Sequence, residues 1–172
     1  MTQQPEHAEL DYLFSVTYEE LRRLASTVRR GDPSATLNPT ALVNEAWLKL
    51  AGSKVSNTSR LHFKRIAARA MRQVLVEAAR RRNADKRGGS GACFVTFDES
   101  QAAVASEREL LGLDTALDEL AQIEPRQAMM VESRFFGGLE VAEIAELLEV
   151  SEATILRDWR AAKAWLAHTL RQ

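Results

Sequence analysis

The sequence lacks the features that mark secreted, membrane and metal-cluster proteins. Cys93 is its one cysteine, which excludes an internal disulfide and a zinc site built from several thiolates. No apolar run approaches the ~20 residues that a membrane-spanning helix needs. The chain opens with polar and acidic residues, whereas a secretory signal opens with basic and then apolar residues. We therefore expect a cytoplasmic protein that binds no membrane.

Net charge is also nearly absent, but the charges are sorted along the chain. The 23 basic and 24 acidic residues leave a formal charge of −1, which by itself indicates no nucleic-acid partner. Residues 60–90 nevertheless carry 10 basic and 2 acidic side chains, and residues 91–149 carry 3 basic and 13 acidic ones. Blocks of opposite sign are typical of surfaces for different partners, although a single block can simply be a solvated helix face.

Hydrophobic periodicity predicts an all-α protein with two helical halves. Apolar residues recur at steps of three and four through residues 1–87 and again through residues 107–172. Residues 88–106 begin with a glycine-rich stretch and have weak periodicity, so we expect a flexible linker. Within it, Phe94–Phe97 could pack locally, but a lone strand has no partner and we expect no stable strand there.

Three helices are expected in the first half. The first begins near Glu9, and the second begins at Asn38, a favourable N-cap that precedes Pro39. The third runs from about Arg60 to Ala84, and a rotation of about 100° per residue places its apolar and basic residues on opposite sides. The apolar side comprises Phe63, Ala67, Ala70, Val74 and Ala78, and the basic side comprises Arg65, Arg69, Arg72 and Arg80.

The basic side of the third helix favours binding to nucleic acid. A solvated face usually mixes charges of both signs, because opposite charges at positions i and i+4 attract each other. Stacked like charges repel mildly, and a polyanion such as DNA would relieve that repulsion.

The second half contains the spacing of a helix-turn-helix. After helices that begin at about Glu107 and at Pro125, a short helix is expected with Ile144 and the small Ala145 on its inner face. A turn follows at Glu149, a position where glycine is commonest, and Ser151 is a natural N-cap for the last helix. In this geometry the N-terminal part of the second helix enters the major groove of DNA, whereas an ordinary helical hairpin is the plainer alternative.

Taken together, these segments resemble an extracytoplasmic-function (ECF) sigma factor, a sigma-70 family subunit of bacterial RNA polymerase. Leu42–Leu50 resembles the region 2 helix that docks on the clamp helices of the polymerase, and Ala70–Arg82 resembles the helix that melts and reads the −10 element. Pro125–Leu139 with the helix-turn-helix resembles region 4, which binds the −35 element, and Ile155–Trp165 is similar to its recognition helix and tail. The order of these segments makes the resemblance specific.

The resemblance implies a promoter-specificity subunit with no catalytic activity of its own and no cofactor or metal. Residues 1–87 would be region 2 and residues 107–172 region 4, and the partners would be core RNA polymerase, through its clamp helices and flap, and promoter DNA. The implied −10 contacts are His62, Arg65, Arg69, Arg72, Arg80, Arg81 and Arg82; the −35 contacts are Ser151, Glu152, Thr154, Arg157, Arg160 and Lys163; and the polymerase contacts are Asn38, Thr40, Asn44, Glu45 and Leu48.

One departure from the family pattern concerns the polymerase-docking helix. Typical members carry acidic residues just before the segment that starts at Leu42, whereas this chain has Asn38, Pro39 and Thr40 there. Phosphorylation of Thr40 by a Ser/Thr kinase would add about −2 charge at a helix N-terminus, which stabilises negative charge. Thr36 is a second candidate for this phosphorylation. The plainer interpretation of the missing acidic residues is sequence drift toward weaker polymerase docking. An anti-sigma factor is an alternative regulatory partner.

Other interpretations are weaker or remain open. No catalytic constellation is visible, because His7, His62 and His168 lie far apart and Cys93 has no partner cysteine. Phe63 suits core packing better than a pocket for an unstacked base. A stand-alone helix-turn-helix regulator with an N-terminal dimerisation or sensing module is the alternative function, and it would bind a palindrome as a dimer. Opposite charges in the two halves also make a closed, autoinhibited form plausible.

Overall fold

The computed structural model describes residues 5–28, 38–52, 59–85, 95–97, 102–104 and 107–172. These residues form seven helices and one short hairpin, which confirms the all-α prediction. Turn-forming residues at Gly31–Ser34 predict the end of the first helix, and the polar residues Gly52–Ser59 predict a loop. Gly31–Ser34, most of Gly52–Ser59, Thr36 and Cys93 lie outside the described residues. The elements are α1 (Pro5–Val28), α2 (Pro39–Ala51), α3 (Arg60–Asp85), β1 (Val95–Phe97), β2 (Ala102–Val104), α4 (Glu107–Ile123), α5 (Pro125–Gly137), α6 (Val141–Leu148) and α7 (Glu152–Thr169).

The start of α2 follows the predicted capping pattern. The side chain of Asn38 accepts a hydrogen bond from the backbone N–H of Ala41 at 2.8 Å, and Pro39 occupies the first turn, where its missing N–H costs nothing. Helix α2 buries Leu42, Val43, Ala46 and Leu50, and α1 covers the next part of its surface by stacking Phe14 on Trp47 with ring centroids 4.5 Å apart. This packing leaves the opposite side of α2 exposed.

Two paired strands lie within residues 88–106, the segment expected to be a linker, so the expectation of no stable strand there was wrong. β1 and β2 pair antiparallel, with Val95 opposite Val104 and Phe97 opposite Ala102. The partner of β1 is β2, which begins only a few residues further along the chain. The sequence signal for it was weak because Ala102–Val104 is short and follows no two-residue turn motif.

The helix-turn-helix forms as its spacing predicts. Ser151 caps α7 by accepting a hydrogen bond from the N–H of Thr154 at 3.2 Å. Ile144 of α6 and Ile155 of α7 are both buried. Glu149 adopts a φ of 54°, the left-handed conformation that ends α6. At the preceding junction, Gly138 ends α5 in the same conformation.

Helix α3 joins the two halves into one core. It contacts α1 and α2 of the first half and α4, α5 and α6 of the second half. Its predicted apolar side is buried, and Phe63 is fully enclosed, which confirms the core interpretation of that residue. A second buried stripe includes Ala68, which lies so close to Gly137 that a Cβ atom on the glycine would be 2.9 Å from the Ala68 methyl. The two halves therefore pack tightly against each other.

Candidate nucleic-acid interface

The seven predicted −10 contacts on α3 divide into open residues, which form no ion pair with a described residue, and engaged residues, which pair with acidic side chains. Arg69 and Arg81 are exposed and Arg65 and His62 are half-buried, and none of the four forms an ion pair with another described residue. Arg72 is engaged by acidic side chains, as are Arg80 and Arg82. The stripe is thus only partly free to meet a polyanion.

Arg72 is held by three carboxylates from two helices of the second half. Its Nε donates to Asp114 of α4 at 2.8 Å, and Nη1 donates to Glu132 of α5 at 2.7 Å. Its Nη2 donates to Asp118 at 2.7 Å and to the backbone carbonyl of Asp114 at 2.9 Å. Only 13% of the Arg72 side chain is exposed. All three guanidinium nitrogens therefore already have acceptors.

The electrostatics of this cluster favour the charged guanidinium. Burial by itself would lower the pKa of Arg72, but the hydrogen bond to Glu132 and the negative charge of Asp114 outweigh it and raise that pKa above its usual value. Charge-assisted bonds from a planar guanidinium to carboxylates are among the stronger polar contacts in proteins. Arg72 is consequently a strong link between α3 and the α4–α5 pair.

Two further arginines of α3 reach acids on α4. Arg80 bonds to Asp114 Oδ2 at 3.2 Å, although 65% of its side chain stays exposed. Arg82 bonds to Glu107 in the first turn of α4, and both of these side chains are mostly covered. Acidic residues of α4 therefore pair with arginines of α3 from Arg72 to Arg82.

A second polar link ties the start of α3 to the helix-turn-helix. The buried Lys64 lies 2.9 Å from Glu143 of α6 and 3.5 Å from Glu20 of α1. Glu143 also accepts the N–H of Glu140 as part of a capping box. Burial would raise the pKa of Glu143, but this backbone bond and the Lys64 ammonium lower it below its usual range.

A groove with a volume of about 230 Å³ lies beside the Arg72 cluster. Its walls carry arginines of α3 and carboxylates of both halves, so the charges of its lining nearly cancel. The lining residues include Arg69, Arg72, Gln73, Arg80, Asp114 and Glu132.

The outer face of α7 carries the residues predicted to contact duplex DNA. Arg157, Arg160 and Lys163 are exposed, and 72% of the Arg157 side chain is accessible. Glu152 is exposed, whereas Ser151 and Thr154 bond to each other and form the cap. The structure therefore leaves three basic side chains of this helix directed at solvent.

The inner side of α7 is fixed to α5 by polar contacts. Arg126 pairs with the buried Asp158 at 2.6 Å. The guanidinium of Arg134 lies 4.6 Å from the ring centre of Trp159. These contacts fix the orientation of α7 on α5.

The predicted polymerase-docking residues lie together on α2. Thr40, Asn44 and Leu48 follow one another at i+4 spacing, with Glu45 beside them and Asn38 at the cap. All five are exposed, and Leu48 is 70% exposed despite being apolar. No acidic residue occupies the first turn of this helix.

Sequence reasoning missed two sets of residues. Leu156 is an apolar residue that is 39% exposed on α7, the helix that carries Arg157, Arg160 and Lys163. Asp114, Asp118 and Glu132 were not singled out, although they lie in the acidic block and the i+4 spacing of the first two was a usable signal.

The described residues contain no group of three His, Cys, Asp or Glu side chains that could hold a metal ion. Within the same residues, no helix is both long and apolar enough to cross a bilayer.

Comparison with known proteins agrees with the resemblance seen in the motifs. A family model described as "ECF sigma factor" matches residues 2–172, essentially the whole chain. No curated protein and no solved structure gives a significant match.

Proposed function

Because this chain belongs to the ECF sigma factor family, whose members act in transcription initiation, we propose that it binds core RNA polymerase and directs it to a specific set of promoters. Its role is to select the promoter, and the polymerase performs the catalysis. The observation that carries this proposal is the joint presence, in one chain, of an exposed face on α2 at the predicted polymerase contacts and an exposed basic face on α7, which an ion pair holds against α5.

The two DNA-binding roles are assigned to different helices. The open arginines of α3, Arg65, Arg69 and Arg81, contact phosphates and so fix the register on the −10 element. Arg157 and Arg160 of α7 reach the −35 duplex, where arginine can address guanine edges with two hydrogen bonds. Lys163 adds a phosphate contact, and His62, which is half-buried in the first turn of α3, contacts the melted strand.

Reconstitution tests the proposed role. The purified chain is added to core polymerase with genomic DNA fragments, and the 5′ ends of the transcripts are sequenced. We expect start sites that share two sequence elements and that disappear without the chain. If the chain instead shifted duplex operators alone, as a dimer and without stimulating transcription, it would be a regulator of the helix-turn-helix type.

We further propose that phosphorylation of Thr40 activates docking. A Ser/Thr kinase would transfer the γ-phosphoryl group of ATP to Thr40 Oγ1, releasing ADP and a proton. Thr40 is exposed in the first turn of α2, where the helix N-terminus stabilises negative charge and where no acidic residue lies. The phosphate would supply the negative charge that the basic clamp helices of the polymerase attract.

The test of this regulation compares polymerase binding by the wild type, Thr40→Glu and Thr40→Ala, with and without a cognate kinase. We expect Thr40→Glu and the phosphorylated wild type to bind about tenfold more tightly than Thr40→Ala. Gln122→Glu is the control, since it adds one negative charge at an exposed position of α4. If Thr40→Ala bound polymerase and supported transcription as well as the kinase-treated protein, activation by phosphorylation of Thr40 would be excluded. That result is expected if an anti-sigma factor controls the protein instead.

A further inference from the structure

We propose that Asp114, Asp118 and Glu132 act as an internal mimic of promoter phosphates, which holds the free chain closed until the two halves separate. These residues are called the acidic clamp below. The inference rests on the proposed function, because it concerns the arginines of α3 that region 2 would place along the promoter.

The geometry around Arg72 is that of an arginine bound to anionic oxygens. Three carboxylate oxygens lie 2.7 to 2.8 Å from the guanidinium nitrogens, and they come from two helices rather than one. Carboxylates and phosphates are recognised by the same planar fork of N–H donors. The acidic clamp therefore occupies the donors that a DNA phosphate would use.

Binding of the acidic clamp and binding of DNA to Arg72 exclude each other. Donors on all three guanidinium nitrogens are already used and only 13% of the side chain is exposed, so a phosphate can enter only after the carboxylates leave. The same carboxylates line the groove that contains Arg69 and Arg80, and their negative charge also repels a polyanion from the exposed Arg69 and from Arg80, which pairs with Asp114. Binding of DNA to the closed chain is thus disfavoured both at Arg72 and at the neighbouring arginines of the groove.

The ion pairs at the edge of the closed contact are accessible to solvent. Asp118 and Arg80 at its edge are 70% and 65% exposed, so water and salt screen these ion pairs strongly. The contact is polar where it covers the arginines, whereas the two halves also share a buried apolar core, so opening needs the free energy of a further binding step. Docking of the two halves at separate sites on the polymerase would supply the free energy that opens it.

The experiment weakens the acidic clamp without changing its shape. The double variant Asp118→Asn/Glu132→Gln removes two negative charges and keeps the side-chain volumes. Its matched control is Glu119→Gln/Glu124→Gln, which removes two exposed charges of the same region that form no ion pair with a described residue. Both variants are first checked by thermal melting, so that a loss of folding is recognised.

Two measurements follow. Fluorescence anisotropy with a fluorescein-labelled oligo-dT of about 20 nucleotides reports access to the arginines, and we expect the clamp variant to bind at least about threefold more tightly than the control variant. A water-soluble carbodiimide joins Lys64 to Glu143 through an amide and takes up the elements of water to become a urea, only while their 2.9 Å ion pair holds α3 against α6. Mass spectrometry should show a lower yield of this cross-link in the clamp variant.

Each outcome decides between the ideas. Equal affinity for oligo-dT and equal cross-link yield in the two variants would overturn the closed-state inference, while promoter-specific transcription by both would leave the proposed function intact. Failure of the wild-type chain to bind core polymerase would overturn the proposed function but not the closed state, because the cross-link assay needs no polymerase. If the clamp variant does not fold, the single variant Asp118→Asn, which changes the most exposed member of the acidic clamp, is measured against Glu119→Gln.

Discussion

Glu149 adopts a backbone conformation that its residue type disfavours. Its φ of 54° lies in the left-handed region, where the Cβ atom of an L-residue crowds the following carbonyl. Helix α6 must end there because its turn brings Ser151 into position to cap α7. The helix-turn-helix therefore carries a small local strain that tertiary packing outweighs.

Replacing Glu149 with glycine should stabilise the protein. Relief of the left-handed strain, less the added entropy of the unfolded chain, amounts to about 0.5–1 kcal/mol in the free energy of unfolding. Urea titration followed by circular dichroism measures it. Glu146→Gly, three residues earlier inside α6, should do the opposite and cost about 1 kcal/mol. A destabilised Glu149→Gly variant would mean that the carboxylate has a structural role.

At the scale of elements, the packing of α3 against α5 depends on small residues. Gly137 at the end of α5 faces Ala68 of α3, and the backbone of Lys64 would lie only 3.3 Å from an added Cβ. A glycine at this position is needed for the close approach of two helices rather than for a turn. In the sequence, the Gly137-Gly138 pair indicates the end of a helix, whereas the packing role of Gly137 depends on how α3 and α5 lie together.

Gly137→Ala should loosen this contact. The new methyl would lie 2.9 Å from the Ala68 Cβ and 2.8 Å from Leu139 Cδ1, so the helices must shift apart. Overpacking of this kind costs about 1–3 kcal/mol. Thermal and urea unfolding measure the loss. Gly52→Ala is the control, because its nearest neighbours lie at 3.7 and 3.8 Å and its φ of −82° suits alanine; equal losses in both variants would contradict the argument.

The whole molecule is linked by ion pairs that span its two halves. Lys64 connects α1, α3 and α6, and Arg72 connects α3 with α4 and α5. These links join residues that are 42 to 79 positions apart in the chain. Acid should weaken them, because a protonated carboxyl loses its attraction to lysine and arginine.

The stability of the protein should fall at low pH in part through Glu143. Its pKa is lowered in the folded chain, so its contribution is complete above the ordinary glutamate pKa of about 4.3 and is lost as the pH falls through the lower folded value. Urea unfolding at a series of pH values measures this. Glu143→Gln, which keeps an acceptor for the Glu140 N–H, should show a shallower fall below pH ~4.3. An unchanged slope would exclude Glu143 as a contributor.

Local signals were sufficient for the helices, their caps and the helix-turn-helix. Asn38, Ser151 and Gly138 act at the ends where short-range hydrogen bonding and backbone preference place them, and Ile144 and Ile155 bury as their period predicts. Periodicity also placed the arginines of α3 on one stripe. These features depend on residues within a few positions of one another, so the sequence by itself determined them.

Tertiary structure decided which of those arginines remain open. Arg69 and Arg72 belong to the same stripe, yet one is exposed and the other meets three carboxylates. The charge blocks predicted attraction between the halves, but pairing of individual residues depends on how α4 and α5 cross α3. That crossing is set by distant apolar contacts such as Ala68 with Gly137, and no local pattern in the sequence encodes it.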